Sequence, residues 1–259
     1  MINPSYFTQV VNSYLPEPHA TLLNGIIFGV NLKTSKEFYE QLKVVGLLHL
    51  VVLSGINITI LSSLIASMTS FFSKWTSTLI TILIIILFII FVGPQAPVVR
   101  AGVMGVLTSV AIIFGRKNIT LYSLFLSIFF IAVFYPTWLT TISLYLSYGA
   151  TLGIIFFGQT TSKNKLFSEL KISLAAQVFT APIIFIYFKQ ISLVSPLSNI
   201  MVSGIVPPLM IFGFLMAIFG KINYFLGLIP AYICYGLLSY MIWVIENLSK
   251  LPFVFLQFK

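Results

Sequence analysis

The chain has 259 residues, 59% of them hydrophobic and only 7% charged, with a mean hydropathy of +1.07. A soluble domain carries roughly a quarter charged residues, so this composition excludes one and predicts an all-α, polytopic membrane protein with lipid as its main solvent. The single cysteine, Cys234, excludes an internal disulfide and a cysteine-based metal cluster, and the scattered His19, His49 and five glutamates give no metal-ligand spacing; no cofactor is expected. The net charge of +9 has two readings. Loop lysines that obey the positive-inside rule and touch anionic lipid are the usual one; a route for a polyanion is the other.

In chain order, residues 1–43 are the most polar and form an interfacial, amphipathic lead-in. Within it the apolar run Leu22–Val30, broken by Gly25 and Gly29, is too short to span and suits an interfacial or re-entrant helix. Lys33, Lys36, Glu37, Glu40 and Lys43 then read as a solvated amphipathic segment. From Val44 the apolar runs have spanning length: Val44–Met68, Ser77–Val92, Pro97–Phe114, Leu121–Tyr135, Trp138–Phe157, Ile172–Phe188, Leu193–Phe219 and Tyr224–Leu248. This predicts about eight spans in one transmembrane domain over residues 1–259. Leu79–Val92 has no polar group after Thr81 and is the expected lipid-facing helix. Leu193–Phe219 contains Pro196, Gly204, Pro207 and Pro208, which predicts a broken helix or a re-entrant pair. The denser cationic loops, with Lys74, Arg116, Lys117, Lys163, Lys165, Lys171 and Lys221, are assigned to the cytoplasm, which leaves both termini outside.

Polar groups in apolar runs mark the candidate site, because hydrocarbon offers them no partner. His49, Ser54, Gly55 and Asn57 fall inside Gly46–Ile60, where Ser-Gly is also a weak point in a helix. His49 reads as a proton relay, a ligand or a pore-lining donor, or as a helix–helix hydrogen-bond partner. Arg100 is the only arginine in a span; it reads as a functional cation, or as one that snorkels to the interface from a helix start or holds loop carbonyls. His49 and Ser54, five apart, do not share a helix face, and no G-x-S-x-G elbow or acidic third member accompanies them, so no catalytic residue and no enzyme is expected. Ser147-Tyr148-Gly149-Ala150-Thr151 suits a close helix crossing with a hydroxyl lining, with Ala150 and Thr151 assigned to packing. Gln177 and Asn199 bracket the turn after Phe188 and are placed to satisfy its backbone.

The order of these motifs resembles the membrane core, or competence domain, of ComEC-type DNA-uptake channels. The pieces are Leu15-Pro-Glu-Pro with the run to Gly29, Gly46–Asn57, Gly93-Pro with Val99-Arg-Ala-Gly-Val-Met-Gly105, Leu146–Gly153, and Ala176-Gln through Pro182 to Asn199. They cover about residues 14–215. The resemblance implies that one strand of external DNA crosses the cytoplasmic membrane through this core during natural transformation. It makes His49, Ser54, Gly55, Asn57, Arg100, Ser147, Gln177 and Asn199 the expected path lining. Asn57 stands where the family commonly has a second histidine, which argues against a two-histidine proton or metal site. Full-length members usually add an OB-like and a metallo-β-lactamase-like domain; neither fits in this chain, so a separate nuclease or OB-like domain, a DNA receptor and a partner ATPase are the expected partners beside single-stranded DNA and the bilayer. A fragment, a split gene product or a short relative are the three forms this implies. The alternatives are a small-solute or lipid transporter, an intramembrane enzyme using Ser54 and His49, and a non-catalytic subunit that needs separate soluble domains.

Overall fold

Backbone inside a bilayer satisfies its own hydrogen bonds only as helices or closed barrels, and most of the described residues are helical. The computed structural model describes residues 4–32, 34–51, 54–115, 120–159, 164–251 and 255–257. Arg116, Lys117 and Lys163, used above for orientation, and Lys33 of the amphipathic segment lie outside the described residues. In order the helices are α1 (Pro4–Tyr14), α2 (His19–Phe28), α3 (Lys36–Val44), α4 (Leu48–Val51), α5 (Gly55–Met68), α6 (Lys74–Val92), α7 (Ala96–Ile113), α8 (Thr120–Phe134), α9 (Ile142–Phe157), α10 (Lys165–Phe188), α11 (Ser195–Ser203), α12 (Val206–Ile222) and α13 (Tyr224–Ser249). A 3-10 turn over Pro136–Thr140 precedes α9. The one departure from all-α among the described residues is an antiparallel ribbon of β1 (Gln190–Ser192) and β2 (Phe255–Gln257), with Ile191 opposite Leu256.

The expectation of about eight spans is not confirmed. Among the described residues four helices, α6, α7, α10 and α13, are long and apolar enough to cross a membrane, or five if the bent pair α11–α12 counts as one span. The reason is length. α5, α8 and α9 have 14, 15 and 16 residues and reach only ~21–24 Å, against ~30 Å of hydrocarbon. Val44–Met68 is not one helix at all, because α3 ends at Val44, α4 covers four residues and α5 starts at Gly55. The broken helix in Leu193–Phe219 is present: α11 and α12 are bent by 50° at Gly204-Ile205. Pro207 and Pro208 sit in the first turn of α12, where amide hydrogens have no helical acceptor to lose.

The chain divides into two compact units. The first comprises Met1–Leu53, Thr160–Leu174 and Ile184–Lys259; the second comprises Ser54–Gln159 and Ala175–Ile183, so α10 contributes to both. In the first unit α12 packs along α13, and α1, α2, α3 and α11 surround them. Its core includes Leu22, Leu23, Ile26, Ile27, Leu42, Leu47, Leu209 and Met210, all fully buried. α2 is buried from Ala20 to Phe28, and its buried Asn24 donates to Asn12 Oδ1 at 2.8 Å.

In the second unit α5, α6 and α7 pack on one another, and α7 also meets α8 and α9. α6 fits the lipid-facing expectation, with Leu79, Leu83, Ile86, Leu87 and Ile90 exposed while Thr78, Thr81, Ile85 and Phe88 point inward. The two threonines return their hydroxyls to carbonyls four residues back, Lys74 and Ser77, and so leave no orphan donor. α9 meets α10 through Gly149 and Gly153, and a Cβ at Gly153 would run into the Ala175 carbonyl.

That crossing yields a test. Overpacking costs ~1–3 kcal/mol, so Gly153→Val should lower the melting temperature by roughly 2–10 °C. Gly204→Ala, where nothing lies within 4 Å, should leave it unchanged. Equal melting of the two variants in a thermal-shift assay would refute the close contact.

Candidate functional site

The expected path residues fall on both units. Ser54, Gly55, Asn57, Arg100, Ser147 and Gln177 belong to the second, His49 and Asn199 to the first. Each group is described within its own unit.

In the second unit, Arg100 sits in the second turn of α7, just after Pro97 in its first turn. Its side chain is only 8% exposed, so the snorkelling arginine of the sequence reading is not what the fold holds. One amino nitrogen, Nη1, donates to Thr151 Oγ1 at 2.6 Å and lies 3.5 Å from the Met104 sulfur. Thr151 spends its own proton on the Ser147 carbonyl, at 2.9 Å, and so offers the arginine a lone pair. The Tyr148 ring lies 5.7 Å from Arg100 Cζ, a cation–π distance, and its hydroxyl is 2.9 Å from Ser127 Oγ. The second amino nitrogen, Nη2, lies beneath Gly55: a Cβ there would be 2.8 Å away. Nε is buried with no hydrogen-bond partner.

Thr151 and Tyr148 are the residues that sequence reasoning undervalued. Thr151 was assigned to packing, yet it anchors the arginine. Tyr148, Thr151 and the Ser147 carbonyl lie within one turn of α9, but nothing in their spacing sets that turn beside Arg100, 51 residues away from Thr151.

The helix break predicted at Ser54-Gly55 is real. Ser54 has extended backbone (φ −120°, ψ 171°) and occupies the N-cap of α5, but its hydroxyl makes no capping bond and is buried without a partner. Asn57 is 1% exposed, and its amide donates to the Ser54 carbonyl at 3.2 Å. Because Ser54 precedes the helix, Ser54 and Asn57 do not share a helical face. Ser147 and Gln177 are half-buried, on α9 and α10.

Charge separates the two units in the sequence itself. All five acids, Glu17, Glu37, Glu40, Glu169 and Glu246, belong to the first unit; the second holds Lys74, Arg100, Arg116 and Lys117 and no acid. Arg100 therefore has no carboxylate within its own unit.

In the first unit, α3 stops in a Schellman turn. Gly46 adopts φ +75°, the Leu47 amide bonds the Leu42 carbonyl at 3.0 Å, and the Gly46 amide bonds that of Lys43 at 3.1 Å. Leu42 and Leu47 are both fully buried, the apolar contact that accompanies this motif. Three further carbonyls at this end are covered by side chains. Ser192 Oγ donates to Val44 at 2.6 Å, Ser198 Oγ to Val45 at 2.7 Å, and His49 Nδ1 donates to Gly46 at 2.9 Å. The His49 bond fixes the proton on Nδ1 and leaves Nε2 free on an exposed ring. Asn199 Nδ2 lies 3.3 Å from Ser173 Oγ and 3.4 Å from Ser195 Oγ, while its Oδ1 is buried without a partner. Ser198 is not marked out in the sequence, since a serine near a proline-rich bend carries no local sign of a partner 153 residues away.

The fold and site thus define a polytopic helical membrane protein with a buried cation beside a helix break. A family model described as Competence protein matches residues 26–259, and the chain belongs to that family. Membership places this membrane protein in the context of competence and DNA uptake. No curated protein and no solved structure matches the chain.

Removal of the Ser198 hydroxyl leaves the Val45 carbonyl without its cap, and an unsatisfied buried group costs ~1–3 kcal/mol. Ser198→Ala should therefore melt lower by several degrees (~2–4 °C per kcal/mol). Unchanged melting would show that the carbonyl finds another donor.

Proposed function

We propose that this chain is the membrane core through which single-stranded DNA crosses the cytoplasmic membrane, acting as one non-enzymatic transmembrane domain. The observation that carries the reading is Arg100: a guanidinium 8% exposed in a unit whose sequence contains no acid. An isolated buried charge is expensive, and a passing phosphate supplies the missing counter-charge only while cargo is present. Family membership supports DNA as the source of that phosphate.

In this mechanism the break before α5 allows irregular backbone of the second unit to line a hydrated route. Arg100 meets phosphates there, and Ser54, Asn57, Ser147 and Gln177 of the same unit supply weaker polar contacts; His49 and Asn199, with the bend between α11 and α12, are the corresponding candidates of the first unit taken by itself. Weak, repeated sites suit transit, since a tight site would hold the strand. The sequence has no P-loop, so a partner ATPase or an imposed gradient drives the movement, and a DNA receptor with a separate nuclease or OB-like domain delivers the strand.

Uptake of labelled single-stranded DNA by proteoliposomes, with and without a proton gradient, tests this reading. The folded chain should pass the single strand and exclude a duplex of equal length. Loss of one charge-assisted contact, ~1.5–3 kcal/mol, predicts about ten- to a hundredfold slower transit for Arg100→Ala. Equal entry in Arg100→Ala, or none in the folded wild type while a small solute passes, would overturn it.

A further inference from the structure

We infer that the N-terminus of α5, the Ser54 hydroxyl and the free edge of Arg100 form a subsite for one phosphodiester monoanion. Three observations meet there. First, α5 is a 14-residue helix with no acid in its first turn, and its N-cap serine leaves the capping bond unmade. The Asn57 amide is turned to the Ser54 carbonyl at 3.2 Å, and the helix end ahead of it keeps the positive pole of the dipole, worth roughly +0.5 of an elementary charge.

Second, the guanidinium is held by one corner only. Nη1 is committed to Thr151. Nε and Nη2 make up the side edge that grips an oxyanion through two parallel hydrogen bonds. Nε is buried and unpartnered, and Nη2 lies in contact range of Gly55, the first residue of α5. Gly55 has no Cβ to hold the arginine off the helix end. Third, Ser54 Oγ, adjacent in sequence to Gly55, is itself buried without a partner.

Every group in this cluster is a donor or positively polarised, and the unit's sequence offers no acid to neutralise them. A tetrahedral oxyanion complements all of them at once. The magnitude selects its charge: one guanidinium and a helix end sum to roughly +1.5, enough to balance a phosphodiester at −1 without binding a dianion so well that it stays. The same chemistry is offered by a DNA backbone and by a lipid headgroup. That DNA is the source rests on the function proposed above; the subsite itself does not.

The test uses the full chain in phosphatidylcholine nanodiscs and dimethyl phosphate, the smallest phosphodiester monoanion. A ligand bound only by the folded state raises the melting temperature, so dimethyl phosphate should raise it and neutral trimethyl phosphate should not. Arg100→Lys keeps the charge but loses the two-pronged edge, Ser54→Ala loses the hydroxyl, and Gly55→Ala pushes the guanidinium away; each should weaken the response by about tenfold in ligand concentration. Competition of the response by oligothymidylate, and not by a methylphosphonate analogue of it, identifies DNA as the source. Its loss in phosphatidylglycerol nanodiscs, with oligothymidylate inert, identifies a lipid headgroup; the subsite then stands and the DNA reading falls. No response from the folded wild type, an equal one to trimethyl phosphate, or full responses in all three variants would overturn the subsite, even if single-stranded DNA still crosses the membrane.

Discussion

A buried guanidinium with no carboxylate in its own unit is the constraint around which the second unit is arranged. Taking a charge out of water costs several kcal/mol after relaxation, and the fold answers only part of that cost. Thr151 supplies a lone pair at 2.6 Å, Met104 a polarisable sulfur and Tyr148 a ring face. None of these carries a full negative charge. Their effect is to orient the guanidinium, with Nη1 fixed and the Nε edge left unpaired beside the start of α5. An arginine kept only for stability would be expected to pair with an acid or to reach water at the interface. This one does neither within its unit, and that is the physical basis for assigning it to an anionic cargo.

The first unit solves the opposite problem, an excess of carbonyls. The end of α3 turns sharply at Gly46 and would leave several acceptors bare. Hydroxyls from the segment around β1 and α11 cover two of them, and the ring of His49 covers a third. Gly46 is required twice, by its φ of +75° and by Ser195, whose Cβ would lie 2.6 Å from any side chain placed there. A histidine that resembles a relay in the sequence therefore has a structural duty on one nitrogen, and only Nε2 is open for anything else.

Membership of the membrane class and the helical fold were legible in composition, because so few charges leave no other solvent but lipid. The breaks at Ser54-Gly55 and in Leu193–Phe219 were legible from glycine, serine and proline chemistry. The number of spans was not. Hydropathy registers an apolar run and is blind to where a helix stops inside it. Gly46 ends α3, the extended Ser54 starts α5, and the turn at Pro136–Thr140 trims α9 to 16 residues. Of the candidate residues, Arg100, Ser54 and Gly55 stand out in the sequence as polar or helix-breaking groups in apolar runs, although nothing there sets Arg100 beside Gly55. Thr151 and Tyr148 were passed over because hydroxyl and ring both suit ordinary packing; their role appears only once α7 and α9 are side by side.

The most direct measurement is the melting temperature of Arg100→Met in a fixed lipid environment without nucleic acid. Methionine fills similar space and removes the charge. If Arg100 is held for a cargo, the variant should melt at the same temperature or several degrees higher, since replacement of buried ionic groups by well-packed apolar ones is often neutral or stabilising by ~1–4 kcal/mol. A variant that melts several degrees lower would contradict this account and make Arg100 a structural cation.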